Sequence, residues 1–195
     1  MGYALKQTYI EFETYLQGEV ESQWRHEYVA GHIYAMAGAS ETHNTLVAEL
    51  FTAIHGAMPQ RCRAWAADMK LRIDLADEHY SYYPDIMAAC SDNRTDPYTR
   101  TDPVLLVEVL SPSTERIDLS EKREHYCTIA TLQEYLIVHS DRPQLQLYRR
   151  SNGWREEVLY REQTLTLLSV GLSMSVEAIY RRVRQEVGLE LPYSL

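Results

Sequence analysis

Two periods of hydrophobic and polar positions run through this chain, and one run ignores both. Leu46, Val47, Leu50, Phe51 and Ile54 recur at helical spacing behind Ser40, a good N-cap residue, and the pattern stops at Pro59. Met69-Lys-Leu-Arg-Ile73 alternates with the period of a strand, beside strand-like pieces at Arg63 to Ala67 and Tyr83 to Cys90 and the turn-like Asp77-Glu78. Val104-Leu-Leu-Val-Glu-Val-Leu110 is apolar at every position but one. Bounded by Pro103 and by Ser111-Pro112-Ser113, it reads as a strand buried on both faces of a sheet.

The remaining chain fills in around these elements. Thr8 to Gly18 reads as a short acidic helix, and Glu27-Tyr-Val-Ala-Gly31-His-Ile-Tyr34 as a hairpin about its glycine. Asp118-Leu-Ser-Glu121 has the form of a capping box, opening a helix that carries Lys122 and Tyr126 one turn apart on one side. Leu136 to His139, Gln144 to Arg150, Glu156 to Tyr160 and Thr164 to Leu168 read as strands, with Asn152-Gly153 as a hairpin turn, and Ser175 to about Val187 as a final helix. The expected fold class is mixed α/β (α+β), a mixed central sheet flanked by helices. One domain over 1–195 is expected: an N-terminal helix and hairpin at 8–36, a core at 40–139, and C-terminal strands and a helix at 144–187.

Composition narrows the partners. The 195 residues are 45% hydrophobic, enough for a real core, and a formal charge of −9 argues against a general polyanion-binding surface. Contact with nucleic acid would then be local. Cys62, Cys90 and Cys127 are too few and too widely spaced for a zinc box, and an odd number does not suit a disulfide framework, so reduced thiols are expected. Glu11 and Glu13 interrupt the first segment where a signal peptide would be apolar, and no run reaches membrane-spanning length, so a cytoplasmic protein is expected.

The exception in the apolar run is Glu108. Moving an unpaired charge out of water costs several kcal/mol even after relaxation, so Glu108 must be protonated, ion-paired or bound to a metal. Pro84-Asp85 lies one strand and loop upstream, so two carboxylates stand to meet on neighbouring strands. Magnesium usually takes one or two protein carboxylates together with water and substrate phosphate, and Lys122 could add positive charge. The same residues also read as a strand acid paired with a buried base, a turn dipeptide and a solvated lysine.

The segments Tyr82-Tyr-Pro-Asp85, Leu106-Val-Glu-Val-Leu-Ser-Pro-Ser-Thr114, Asp118 with Lys122 and Tyr126, and Glu27-Tyr-Val-Ala-Gly31 with Met36-Ala-Gly38 and His43-Asn44 stand in an order that resembles the PD-(D/E)XK nuclease superfamily. The closer resemblance is to a bacterial branch of restriction-endonuclease-like proteins, and it extends from roughly Thr8 to Tyr180. It implies a restriction-endonuclease-like core with an added N-terminal hairpin and C-terminal strands, with Asp85 and Glu108 as ligands of Mg²⁺ or Mn²⁺. The lysine usual two residues after the glutamate falls at Leu110, which has no such chemistry; in this branch a lysine of the following helix takes that part, here Lys122. Glu27, His43, Asp68 and Tyr126 are supporting candidates, each with a plain alternative: a surface ion pair, a core histidine, an exposed pair with Lys70, and a packing residue.

The resulting expectation is a metal-dependent endonuclease acting on DNA, with a homodimer favoured by the habits of related nucleases. Two rivals remain open. One is a non-catalytic nucleic-acid-binding or assembly protein that keeps the nuclease fold; the other keeps the acids as a structural ion pair in a dimeric scaffold.

Overall fold

A computed structural model describes residues 9–36, 38–91, 96–110 and 118–189. It opens with helix α1 (Phe12–Glu21) and the hairpin β1 (His26–Val29) and β2 (His32–Ala35). Ala30 and Gly31 turn this hairpin with φ of 43° and 94°, the paired left-handed residues that a two-residue turn needs. Helix α2 (Glu41–Ala57) follows, its start fixed by Ser40, whose Oγ accepts the His43 amide at 3.2 Å. Leu46, Leu50 and Ile54 form its fully buried stripe.

Strands β3 (Arg63–Ala66), β4 (Lys70–Leu75), β5 (Glu78–Tyr82), β6 (Ile86–Ala89), β7 (Thr99–Arg100) and β8 (Leu105–Leu110) come next. A π-helical turn (Asp118–Lys122) runs into α3 (Arg123–Thr128). Then come β9 (Glu134–His139), β10 (Gln144–Arg149), β11 (Glu156–Tyr160), β12 (Thr164–Leu167), β13 (Leu172–Ser175) and the short α4 (Val176–Ile179).

The strands form a six-stranded sheet in the order β11-β10-β9-β8-β6-β3, a five-stranded sheet in the order β2-β1-β5-β4-β7, and the β12-β13 hairpin. The apolar run lies at the centre of the six-stranded sheet, antiparallel to β6 and parallel to β9. Leu105, Val107 and Val109 face α2 and the C-terminal segments, whereas Leu106 and Leu110 face an aromatic cluster that includes Tyr82, Tyr126 and Tyr135. Glu108 shares the parity of Leu106 and Leu110, so it emerges on the aromatic side. The parallel β8-β9 pair requires a crossover, and that crossover carries Lys122 and Tyr126 back over the strand. Among the described residues no helix is long and apolar enough to cross a membrane.

Four expectations change. Cys62 and Cys90 are joined in a disulfide, leaving Cys127 as the free thiol. The cause is register: β3 and β6 are antiparallel with Arg63 opposite Ala89, which brings two cysteines 28 residues apart in sequence face to face. The expected strand from Tyr83 to Cys90 begins only at Ile86, because Tyr83-Pro84-Asp85 links it to a separate strand, β5, that pairs with β4 and β1. The first helix runs from Phe12 to Glu21 rather than from Thr8 to Gly18. The last helix stops at Ile179, short of Val187: the buried Tyr180 reaches the carbonyl oxygens of His139 and Gln144, and the chain continues in turns. The side chains of the capping box at Asp118 and Leu119, and the string from Ser111 to Thr114, lie outside the described residues.

Candidate active site

Where β6 ends, β8 continues. Ile86 is the first residue of β6 and pairs with Val107, so the amide of Val109 projects past the start of its neighbour. The Asp85 carboxylate takes that amide: Oδ2 accepts from Val109 N at 2.7 Å and lies 3.2 Å from His43 Nε2. Asp85 is thereby fixed beside the backbone of Glu108, with its side chain 20% exposed.

Glu108 is only 3% exposed. Its Oε1 accepts from the Tyr126 hydroxyl at 2.7 Å and lies 3.3 Å from Lys122 Nζ. The same ammonium stands 2.9 Å from Glu27 Oε1 on β1, so Lys122 bridges a carboxylate of each large sheet. The face of Tyr82 lies 5.6 Å from Nζ, and the Tyr82 hydroxyl is 2.6 Å from His125 Nδ1. Burial and the nearby Glu108 charge push the Tyr126 phenol well above its ordinary pKa, so the hydroxyl keeps the proton it donates.

Six of the seven candidate side chains thus converge: Glu27, His43, Asp85, Glu108, Lys122 and Tyr126. Asp68 does not join them. It pairs with Arg25 at 3.5 Å on the surface, 78% exposed. Tyr82 was legible only as a neighbour of Pro84-Asp85; its alternation with Tyr80 on β5 is the signal that marks it as the ring backing Lys122.

Lys122 thus meets two carboxylates among the described residues, and Asp85 lies beside the backbone of one of them. Among the described residues no group of three or more His, Cys, Asp and Glu side chains forms a complete metal cage. Asp85 and Glu108 are nevertheless the donor set that magnesium commonly takes, with water and phosphate completing the shell.

Comparison with known proteins agrees in extent with this architecture. The profile of the Uma2 family, described as "Putative restriction endonuclease", matches residues 12–177. An uncharacterized protein of Synechocystis sp. is 35% identical over 173 residues, covering 87% of this chain and 90% of that one. A second from the same organism is 34% identical over 128 residues, covering 64% and 71%. The crystal structure of a protein from Anabaena variabilis, described as "a putative nuclease belonging to DUF820", superposes with a TM-score of 0.73 at 20% identity, covering 88% of this chain and 98% of that chain. At that identity the likeness establishes a shared fold.

Proposed function

We propose, from the premise that the chain belongs to the Uma2 family of restriction-endonuclease-like proteins, that it is a Mg²⁺- or Mn²⁺-dependent endonuclease hydrolysing phosphodiester bonds of DNA. The observation that carries this reading is Lys122, buried between Glu27 and Glu108, with Asp85 bonded to the amide of the residue after Glu108. Asp85 and Glu108 would hold the cation, which when bound polarises a phosphoryl oxygen and lowers the pKa of a water.

The remaining chemistry belongs to the chain. Tyr126 donates to Glu108 Oε1 and so fixes the orientation of that carboxylate. Lys122 supplies a positive charge near the phosphate and holds its protons at Nζ, where they orient the attacking water. Glu27 fixes the ammonium from the opposite sheet, and Tyr82 closes its apolar side. In this way a lysine from the crossover replaces one at position 110, where Leu110 is buried in the aromatic cluster. His43, against Asp85 Oδ2, orients that carboxylate.

The test is cleavage of supercoiled and single-stranded DNA with either ion, comparing the wild type with Glu108→Gln. Nicking that needs metal and falls by about a hundredfold or more in the variant supports the reading. A folded wild type that binds DNA but never cuts it supports the rival, a binding protein in which Lys122 is held too firmly by its two carboxylates to serve chemistry. A homodimer and a cytoplasmic setting belong to the same proposal; sedimentation showing only monomer removes the first.

A further inference from the structure

Lys70 opens β4 and is buried, 5% exposed, in a cavity of about 140 Å³ that Arg25, Tyr83, Tyr98 and the carboxylates of Glu19 and Asp68 also line. Its ammonium lies 5.3 Å from the Tyr15 ring and 5.9 Å from the Tyr83 ring. No carboxylate among the described residues is within ion-pair distance of it. The neighbouring acids have other partners: Glu19 accepts from the His26 amide at 2.9 Å and the Tyr83 hydroxyl at 3.1 Å, Asp68 pairs with Arg25, and Asp96 accepts the Tyr98 amide at 2.8 Å. Burial pushes the Lys70 pKa down, the direction for an ammonium that has lost water without gaining an acceptor. Such a group is completed by an anion with several acceptor oxygens. Tyr98, 68% exposed at the rim, offers a ring on which a base can stack. The cavity is well below the roughly 300–1,000 Å³ of clefts that enclose a drug-sized ligand, so it admits one phosphate or one sugar-phosphate unit. Tyr83, which lines the cavity, is joined through Pro84 to Asp85 of the acid cluster.

We propose that the Lys70 cavity is a phosphate subsite for an unpaired nucleic-acid strand, with the phosphate on the Lys70 ammonium and the adjoining base against Tyr98. This rests on the nuclease reading for its ligand, though not for its chemistry. The chain has three lysines, Lys6, Lys70 and Lys122, so amine labelling followed by peptide mass spectrometry reports each separately on the unaltered protein. With EDTA present to prevent cutting, a short single-stranded oligonucleotide is expected to slow labelling of Lys70 at least fivefold relative to Lys6. Lys70→Met, which keeps the stem between the two rings, should weaken oligonucleotide binding about tenfold and lower its salt slope by about 0.7, one phosphate contact to a single strand. Tyr98→Ala should weaken it about five- to tenfold, the loss of one stacked base.

Equal labelling of Lys70 with and without oligonucleotide overturns the proposal, whatever the variants do. Protection by inorganic phosphate but not by the oligonucleotide assigns the cavity to free phosphate and overturns the polymer reading. Nicking abolished by Glu108→Gln while Lys70 stays unprotected sinks this inference and leaves the nuclease; protection of Lys70 in a protein that never nicks does the reverse.

Discussion

Two buried glutamates on adjacent parallel strands, Glu108 on β8 and Glu134 on β9, have been neutralised in different ways. Glu134 stands opposite Leu105 at the start of the pairing and faces the C-terminal hairpin. Its carboxylate is closed off: Arg149 pairs with it, and it accepts the amides of Leu168 at 3.1 Å and Ser169 at 2.9 Å together with the Ser169 hydroxyl. Those donors are backbone groups and a guanidinium held on a neighbouring strand, and they staple a loop to the sheet. Glu108, on the aromatic face near the strand's other end, has one oxygen serving both a lysine and a phenol from the crossover, and it adjoins a partly exposed aspartate. Burial of an acid does not by itself mark chemistry. What separates the two is where the partners come from, a stapled loop or the crossover, and whether a second, partly exposed acid lies beside the first.

The sharpest way to break this comparison is to make the same small change at both positions. Glu108→Gln should remove nuclease activity by about a hundredfold or more while leaving the melting temperature within a few degrees, since Tyr126 still has an oxygen to donate to. Glu134→Gln should do the opposite. It sets an amide NH2 among the donors that Glu134 now satisfies and leaves Glu157 as the acid paired with Arg149, a loss of about 1–3 kcal/mol, or roughly 2–12 °C in melting temperature for a chain of this size. Activity of the folded fraction should be close to wild type. If Glu108→Gln melts early and Glu134→Gln loses cleavage, the assignment is reversed.

Next in size is the lysine. Lys122→Met should lower cleavage by about ten- to a hundredfold, with binding of DNA less affected, because the charge is needed most at the pentacovalent phosphate. Adding Leu110→Lys to that variant places a cation on the same face as Glu108, two residues along β8. Partial return of activity would show that charge, and not the origin of the chain segment, is what the site needs. No return, in a protein that still melts cooperatively, would mean that the bridge from Lys122 to Glu27 is itself required.

These contrasts also mark what the sequence could carry. Val104 to Leu110 was legible because a short, continuous apolar run between prolines suits little besides a strand covered on both faces, and Ser40 because a cap followed by a helical stripe is a local signal. The convergence of Asp85, Glu108 and Lys122 was legible through motif order, although their contacts were not. Strand β5 was hidden: Glu78-His-Tyr-Ser-Tyr82 begins with polar residues beside a turn, and its partners are set by tertiary pairing with β1 and β4. The Cys62–Cys90 bridge depends on the β3-β6 register, which no spacing rule supplies. The C-terminal tail kept its apolar spacing at Ile179, Val183 and Val187, yet successive turns bury that stripe as well as a helix does.

A milder change separates positioning from chemistry. His43→Gln retains a polar group near Asp85 and should cost cleavage about three- to tenfold, mostly in kcat, with the need for metal unaltered. A loss as large as that of Glu108→Gln would move His43 from orienting Asp85 to acting on the substrate.

The least effect on cleavage is expected of Tyr126→Phe, whose change is in stability and is identified by its pH dependence. Near neutral pH the variant loses a hydrogen bond to a charged group, about 1.5–3 kcal/mol. Burial and Glu108 raise the folded pKa of this phenol above the ordinary value of about 10, so above that pH the unfolded chain releases the proton first. The unfolded state then binds fewer protons than the folded one, and stability falls as pH rises. The contribution of Tyr126 is therefore fully present below about pH 10 and lost progressively above it. Phenylalanine has no proton to lose, so the wild type and Tyr126→Phe should differ most near neutrality and converge in alkali. Denaturant titrations at neutral pH and just above about pH 10 check this directly. A gap that stays constant between the two would mean that packing, and not the donated proton, is what Tyr126 supplies to Glu108.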